Sequence, residues 1–337
     1  MLGIDDNKRK NLTFAIIALG YLGDTLLNEP LCRNIKDNFP DSKIVFIAND
    51  LFVDVPKGFS SVDYAIGYDK KEKHSGLLGY FRFAKEFPLT NNIDFAILTH
   101  SHERSLFVAK AIGAKNIVSL PVKKCLFNGF ITHKRAYIEQ ELRTTYKPNY
   151  NNGYISLVDS NVKVTSYFPN YVRDDFDYDS LRKRFCLPEN YIVLSPTAKV
   201  VQRDWDYDNV KCFVEEVGKP VVIIGTGRAL DFVKRLQTDN ISVIDAANKT
   251  TIAEAAALIK MSDVCVSMDT GTFHLSYTQN VNTVGLFFDE TQIPEWSPSV
   301  GYVKNIVGVK YKQGEDIVIE KNIFYKDVLE KVFEFGR

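Results

Sequence analysis

No two cysteines in this sequence stand at C-x-x-C spacing, and no histidines and cysteines cluster as metal ligands do. Cys32, Cys125, Cys186, Cys212 and Cys265 are scattered along the chain. This excludes a zinc-stapled module and points to a reducing compartment, the cytoplasm by default. No apolar run approaches the roughly 20 residues of a spanning helix. MLGIDDNKRKN at the amino terminus lacks the apolar centre of a secretory signal, so neither insertion nor export is expected. Net charge of either sign is also missing, since 42 Lys and Arg face 42 Asp and Glu, and nothing calls for a nucleic-acid partner. There is no internal repeat and no low-complexity tract.

What is present is ordinary globular composition over 337 residues, 45% hydrophobic and 25% charged, enough for two domains without staples. Charge is unevenly spread: between 104 and 135, Arg104, Lys110, Lys115, Lys123, Lys124, Lys134 and Arg135 meet no acidic residue. Such a stretch is either a solvated face or a surface for an anionic ligand or lipid.

Short apolar runs rich in β-branched residues recur between helical patterns. TFAIIAL (13–19), KIVFIAN (43–49), DFAILTH (94–100) and NIVSL (116–120) occupy the first half. YIVLSP (191–196), PVVIIG (220–225), ISVID (241–245), DVCVSM (263–268) and NTVGLFF (282–288) restart the rhythm. They are apolar on both faces, as strands of a parallel sheet covered by helices on both sides must be. Each half is therefore expected to be a doubly wound α/β domain. Residues 147–175, rich in Asn and Tyr and without helical period, read as the connection. Ligands of such sheets sit beyond the carboxyl ends of the strands, so the cleft between two such domains is the expected site.

The segment SDVCVSMDTGTFHL (262–275) presents Asp-Thr-Gly after an apolar strand. An aspartic protease would need a second carboxylate sharing one proton, and no second DTG or DSG exists. The helical TTIAEAAALIKM (250–261), opened by a Thr251-x-x-Glu254 capping box, also places DTG in a βαβα context. Asp269 and Thr270 either cap the following helix, or Gly271 lets a ligand approach while Thr270, Thr272 and the free amides of the first turn hold an anion. Near the amino terminus, Gly20-Tyr21-Leu22-Gly23-Asp24 follows the first strand and sets one carboxylate at a helix start. It is not the G-x-G-x-x-G dinucleotide fingerprint, and here too an N-cap is the alternative.

Taken together, the sequence resembles glycosyltransferase family 9, the ADP-heptose:lipopolysaccharide heptosyltransferases. The resemblance rests on G-x-x-G-D with Leu-Leu-x-x-Pro-Leu (20–31), FPDSKI (39–44), Pro196 and Trp205 in LSPTAKVVQRDW, Lys249-Thr250, DTG-x-x-His274-Leu275, Val284-x-Leu286-Phe287 and Trp296-x-Pro298. It implies a GT-B fold of two Rossmann-like domains, an acceptor domain at 1–165 and a nucleotide-sugar domain at 166–337, whose last helix can pack back on the first domain. It also implies Asp24 as catalytic base, with Thr197, Lys199, Arg203, Asp269, Thr270, Gly271, Thr272 and His274 toward the donor and Asp231 toward its ribose. Gly23, His100, His102, Arg104, Lys123 and Lys124 are the acceptor-side candidates. No cofactor and no metal are expected, since no Asp-x-Asp motif flanks these positions and His100 and His102 lack a third ligand. The expected partners are an ADP-linked sugar and an anionic glycan or glycolipid, met in the cytoplasm or peripherally at the inner membrane. Three departures stand out: Arg203 where the family usually has Lys, Asn248 where it usually has Gly, and the bulky FHLSYTQNVN where it has small residues. With these, a GT-B sugar-nucleotide epimerase and a non-catalytic nucleotide-sugar binder stay open as rivals.

Overall fold

The computed structural model describes residues 10–173, 176–313 and 316–336, so most of the charged amino-terminal stretch lies outside it. The chain divides into two compact units, Met1–Val172 and Arg173–Arg337. In the first, β1 (Thr13–Ala18), β2 (Lys43–Asn49), β3 (Tyr64–Tyr68), β4 (Phe95–Leu98), β5 (Asn116–Ser119) and β6 (His133–Lys134) form one parallel sheet in the order β3-β2-β1-β4-β5-β6. Strand β1 is central: Ile16 lies opposite Phe46 on one side and Ile97 on the other, and residues 14–18 are fully buried.

The second unit repeats the plan with β7 (Ile192–Ser195), β8 (Val221–Ile223), β9 (Ile244–Asp245), β10 (Val264–Met268), β11 (Asn282–Phe287) and β12 (Val303–Val307). Their order is β12-β11-β10-β7-β8-β9. Counted from each unit's own first strand, both sheets run 3-2-1-4-5-6, the doubly wound order with its reversal between strands one and four. An antiparallel hairpin, β13 (Val309–Gln313) and β14 (Asp316–Lys321), follows.

All nine apolar runs became strands. In the two large sheets, those not foreseen are at the edges, where burial on both faces is not required. β3 shows Tyr64 to solvent, β12 leaves Lys304 and Asn305 half-exposed, and β6 is two residues long. The helix Ile252–Lys260 opens as expected: Glu254 N donates to Thr251 Oγ1 at 3.2 Å and Thr251 N to Glu254 Oε2 at 2.7 Å.

Residues 147–172 are not a free connection. They form the helices Lys147–Asn152 and Ile155–Val158, which bury Tyr150, Tyr154, Ile155 and Val158 in the first unit. Beyond them the backbone is held by the helix Glu29–Asn38. Asn34 Oδ1 accepts from Thr165 N and Ser166 N at 2.8 and 3.0 Å, Asn38 Oδ1 from Lys163 N at 2.8 Å, and Glu29 Oε2 from Asn170 N at 3.0 Å. Carboxamides one helical turn apart thus act as a surrogate strand edge, which is why the segment has no apolar period and why the unit runs on past 165. The last helix, Tyr325–Glu334, belongs to the second unit, where Trp205 Nε1 donates to Ile323 O at 2.9 Å and Tyr325 N to Asn209 Oδ1 at 3.0 Å.

Candidate active site

In the first unit the ends of β1 and β4 lie side by side, and the residues that follow them meet. Asp24, in the short helix Leu22–Leu26, folds back so that Tyr21 N donates to its Oδ2 at 2.8 Å. The same oxygen lies 3.9 Å from His100 Nδ1, at the end of β4. A Cβ on Gly20 would stand 2.3 Å from Asp24 Oδ2 and 2.7 Å from His100 Nδ1, so only glycine allows this approach. Asp24 keeps 17% of its side-chain surface exposed and His100 32%, so both remain within reach of a ligand. His102 stacks near His100, with ring centroids 4.3 Å apart.

Burial lowers the pKa of His100; the Asp24 charge opposes this, while His102, Lys147 and Lys70 push the same way. His100 is accordingly a neutral imidazole at neutral pH. Lys70, whose Nζ donates to Leu19 O at 3.1 Å, and Lys147 are cations at this crevice that the sequence did not signal. Lys70 comes from a charged turn with no motif, and only the closing of β3 beside β2 brings it here.

The other acceptor-side candidates divide. Gly23 is buried inside its helix, its carbonyl accepting from Leu27 N at 3.0 Å. Arg104, Lys123 and Lys124 are exposed. The basic stretch is less bare than its sequence, because carboxylates arrive from elsewhere: Lys115 pairs with Asp94 at 2.8 Å and Arg135 with Glu141 at 2.6 Å. The Arg135 guanidinium also lies over the Tyr150 ring at 3.6 Å, a packed structural role.

In the second unit the corresponding ends are those of β7 and β10. Ser195 Oγ and Thr272 Oγ1 are 3.4 Å apart across the reversal, and Thr270 Oγ1 accepts from Thr272 N at 3.3 Å to cap the helix Gly271–Tyr277. A small pocket here is lined by Ala198, Arg203, Asp269, Phe288, Asp289 and Gln292, among others. Arg203 Nη1 reaches Gln292 Oε1 at 3.5 Å, and Gln292 Nε2 donates to Asp289 Oδ2 at 3.0 Å. Asp289 and Gln292 were missed by sequence reasoning, although their place just beyond β11, at a strand's carboxyl end, was a usable signal.

The loop that carries Lys199 and Arg203 is tied down by a second arginine. Arg228 grips Asp204 with Nε to Oδ2 at 2.6 Å and Nη2 to Oδ1 at 2.9 Å, and donates to Ala198 O at 2.6 Å. Asp204 Oδ1 in turn accepts from Ala198 N at 2.8 Å. Thr197 faces the adjoining turn, its Oγ1 3.6 Å from where a Cβ on Gly225 would stand. Asp231 is exposed in the first turn of the helix Ala229–Thr238.

Two of the three departures now have physical reasons. Asn248 has φ 57°, the left-handed region where asparagine is the usual substitute for glycine, and its Oδ1 accepts from Gly227 N at 2.9 Å. His274 is buried, with Nδ1 2.9 Å from Tyr277 Oη. The bulky Phe273 fits because Gly285 of β11 leaves room: a Cβ there would lie 2.6 Å from Phe273 Cε2. Trp205 is a packed wall, 1% exposed.

Burial pushes the Asp269 pKa up to about 6; Arg203 pulls it down, and Asp289 and Glu295 push it further up. Since the unfolded value is near 4, the folded protein holds a proton that the unfolded chain releases between the two. Stability from this residue is full below pH about 4 and is lost as pH rises through about 6. Asp269→Asn is therefore expected to be more stable than the parent at neutral pH by about 2 kcal/mol, a Tm rise of roughly 4–8 °C. The gain should vanish by about pH 4. Melting curves across this range check it, and a Tm difference that does not change with pH refutes it.

Two Rossmann-like units, each with its polar residues gathered at its own sheet reversal, are the architecture of GT-B glycosyltransferases. A solved structure of a glycosyl transferase family 9 protein from Veillonella parvula shares the fold with TM-score 0.82 at 17% identity, covering 97% of each chain. The E. coli ADP-heptose lps heptosyltransferase II does so with TM-score 0.78 at 16% identity, over 96% of this chain and 98% of its own. This chain belongs to glycosyltransferase family 9 (heptosyltransferase), whose model matches residues 89–323. It is similar to the lipopolysaccharide core heptosyltransferase OpsX of Haemophilus influenzae, 19% identical over 284 residues, 82% of this chain and 78% of that protein.

Proposed function

We propose that this glycosyltransferase moves a sugar, heptose from ADP-heptose, onto a lipopolysaccharide-core or similar anionic glycan acceptor, with inversion and without a metal. The observation that carries the reading is the Asp24 carboxylate, anchored by one backbone amide yet open to a ligand beside a neutral His100. An acceptor hydroxyl donates its proton to Asp24 as its oxygen forms a bond to the anomeric carbon. The bond from that carbon to the diphosphate oxygen breaks on the opposite face, so configuration inverts and ADP leaves.

Arg203, Lys199 and the amides of Thr270–Thr272 meet the leaving charge, while Asp269 accepts hydrogen bonds from donor hydroxyls. His100 and His102 border the acceptor, and Lys70, Lys147 and Arg104 draw its anionic groups. The names of the relatives, a lipopolysaccharide core heptosyltransferase and an ADP-heptose lps heptosyltransferase, support this choice of donor and acceptor. The enzyme works in the cytoplasm, at the inner face of the membrane that bears its acceptor. No helix among the described residues is long and apolar enough to cross a membrane.

The test is to incubate the protein with ADP-heptose and a heptose-deficient core acceptor in excess EDTA and to follow both by mass spectrometry. The expected result is acceptor heavier by one heptose and one ADP released per transfer, with the donor intact when acceptor is left out. Turnover of the donor sugar without acceptor would establish an epimerase, no turnover with tight binding a binding protein, and loss of transfer in EDTA a metal-dependent enzyme.

A further inference from the structure

The first unit leaves six large apolar side chains in solvent at two neighbouring tips. On the helix Gly76–Glu86, Leu77, Leu78 and Phe81 point outward, with Leu78 78% exposed. The helix's other side is seated on the protein through buried Phe83 and Gly79, where a Cβ would lie 2.2 Å from the His74 carbonyl carbon. The second tip is the short turn Leu126–Phe130, with Leu126 95% exposed and Phe127 and Phe130 also out.

A continuous run of rings joins the tips: Tyr80 to Phe107 at 5.4 Å, Phe107 to Phe127 at 5.0 Å and Phe127 to Phe130 at 5.7 Å. Exposed cations surround them. Lys110 Nζ lies 5.0 Å over the Phe130 ring, Lys123 and Lys124 directly precede the turn, and Arg82 and Lys85 follow Phe81 on the helix. The carboxylates beside the patch are engaged: Glu86 with Lys73 at 2.8 Å, and Glu103 accepting from Cys125 Sγ at 3.7 Å.

From this we infer that the two tips are a membrane-docking face whose occupant is the interfacial region of an anionic bilayer. Leu and Phe would enter the boundary between headgroups and acyl chains, and the lysines and arginines would meet the lipid phosphates. Exposure and charge favour lipid over protein. A protein interface is built from packed apolar residues with charges depleted at its core, whereas here Leu77, Leu78, Phe81 and Leu126 are at least 73% exposed and stand among exposed cations. The inference deepens the proposal that the acceptor is membrane-borne, and rests on it only for its purpose.

Vesicles without acceptor make the test independent of transfer. The full-length protein is floated with phosphatidylethanolamine–phosphatidylglycerol vesicles and with pure phosphatidylcholine vesicles, at low and high salt. Binding to the anionic vesicles, weaker at high salt, is expected. Leu77→Ser with Phe81→Ser, or Leu126→Ser with Phe127→Ser, should each lower the partition coefficient at least tenfold, and Lys123→Gln with Lys124→Gln should flatten its salt dependence. Because Leu77 and Phe81 are each 73% exposed, the melting temperature of that first pair should be unchanged. Leu126→Trp gives a second readout, a blue-shifted emission on binding that brominated lipid quenches. Failure to bind anionic vesicles, binding indifferent to both apolar double substitutions, or a parental dimer that these substitutions dissolve would each overturn the assignment.

Discussion

Asp24→Asn is expected to keep the fold and the nucleotide affinity while turnover falls by about 100-fold or more, the size of effect that follows loss of a general base. The substitution is nearly isosteric, and the carboxamide oxygen can still accept from Tyr21 N, the contact that holds the side chain at 2.8 Å. The short helix and the close approach to Gly20 therefore survive. What disappears is the capacity to take a proton, and no neighbour replaces it well: His100 is neutral but stands 3.9 Å from the Asp24 carboxylate. The loss should fall on kcat, with the Michaelis constant for donor little changed, because the interaction is used only as the bond to the acceptor forms. Steady-state kinetics with calorimetric ADP binding separate the two quantities. Transfer at the parental rate would remove Asp24 from the mechanism.

Arg203→Ala is expected to weaken ADP binding by about 1.5–3 kcal/mol, roughly 10- to 150-fold, the range for a charge-assisted hydrogen bond. Arg203 shares its pocket with Asp269, Asp289 and Gln292, and its hold on Gln292 is long at 3.5 Å, so the competitor a phosphate must displace is chiefly the charge of Asp269. Arg203→Lys keeps the charge but not the fork and should lose less. Arg228→Ala is the informative control, since Arg228 acts by fixing Asp204 and Ala198. It should weaken binding and also lower Tm, because it leaves the Asp204 carboxylate, 10% exposed, without its guanidinium. Equal ADP affinities for the parent and both Arg203 variants would remove this loop from the donor site.

How far the sequence could be read differs by element. Central strands were legible because burial on both faces demands unbroken apolar runs such as those that became β1 and β10. Three of the four edge strands of the two large sheets escaped because their outer faces carry residues such as Tyr64 and Lys304, which leave no such mark. Glycine turns and DTG were legible because close approach restricts composition, as Gly20 shows. Partners that converge from distant segments were not. Asp204 with Arg228, Lys70 at the Asp24 crevice and Asp94 against Lys115 depend on which strands become neighbours, a property of the whole sheet. The asparagine-held stretch after 147 was misread as a connection for the same reason, since its order comes from Asn34 and Asn38 more than a hundred residues away.

The repeated 3-2-1-4-5-6 order has a consequence for how this enzyme can change. Each half closes its own sheet and core and brings its own pair of strand ends together, so either crevice can be rebuilt by loop substitution without disturbing the packing of the other. With the acceptor at the first crevice and the donor at the second, as proposed, the two choices would be separable traits on one polypeptide. The family match takes in every strand of the second sheet and β4 to β6 of the first, leaving β1 to β3 and their loops outside. A chain built this way can keep its nucleotide sugar while following an acceptor whose structure drifts.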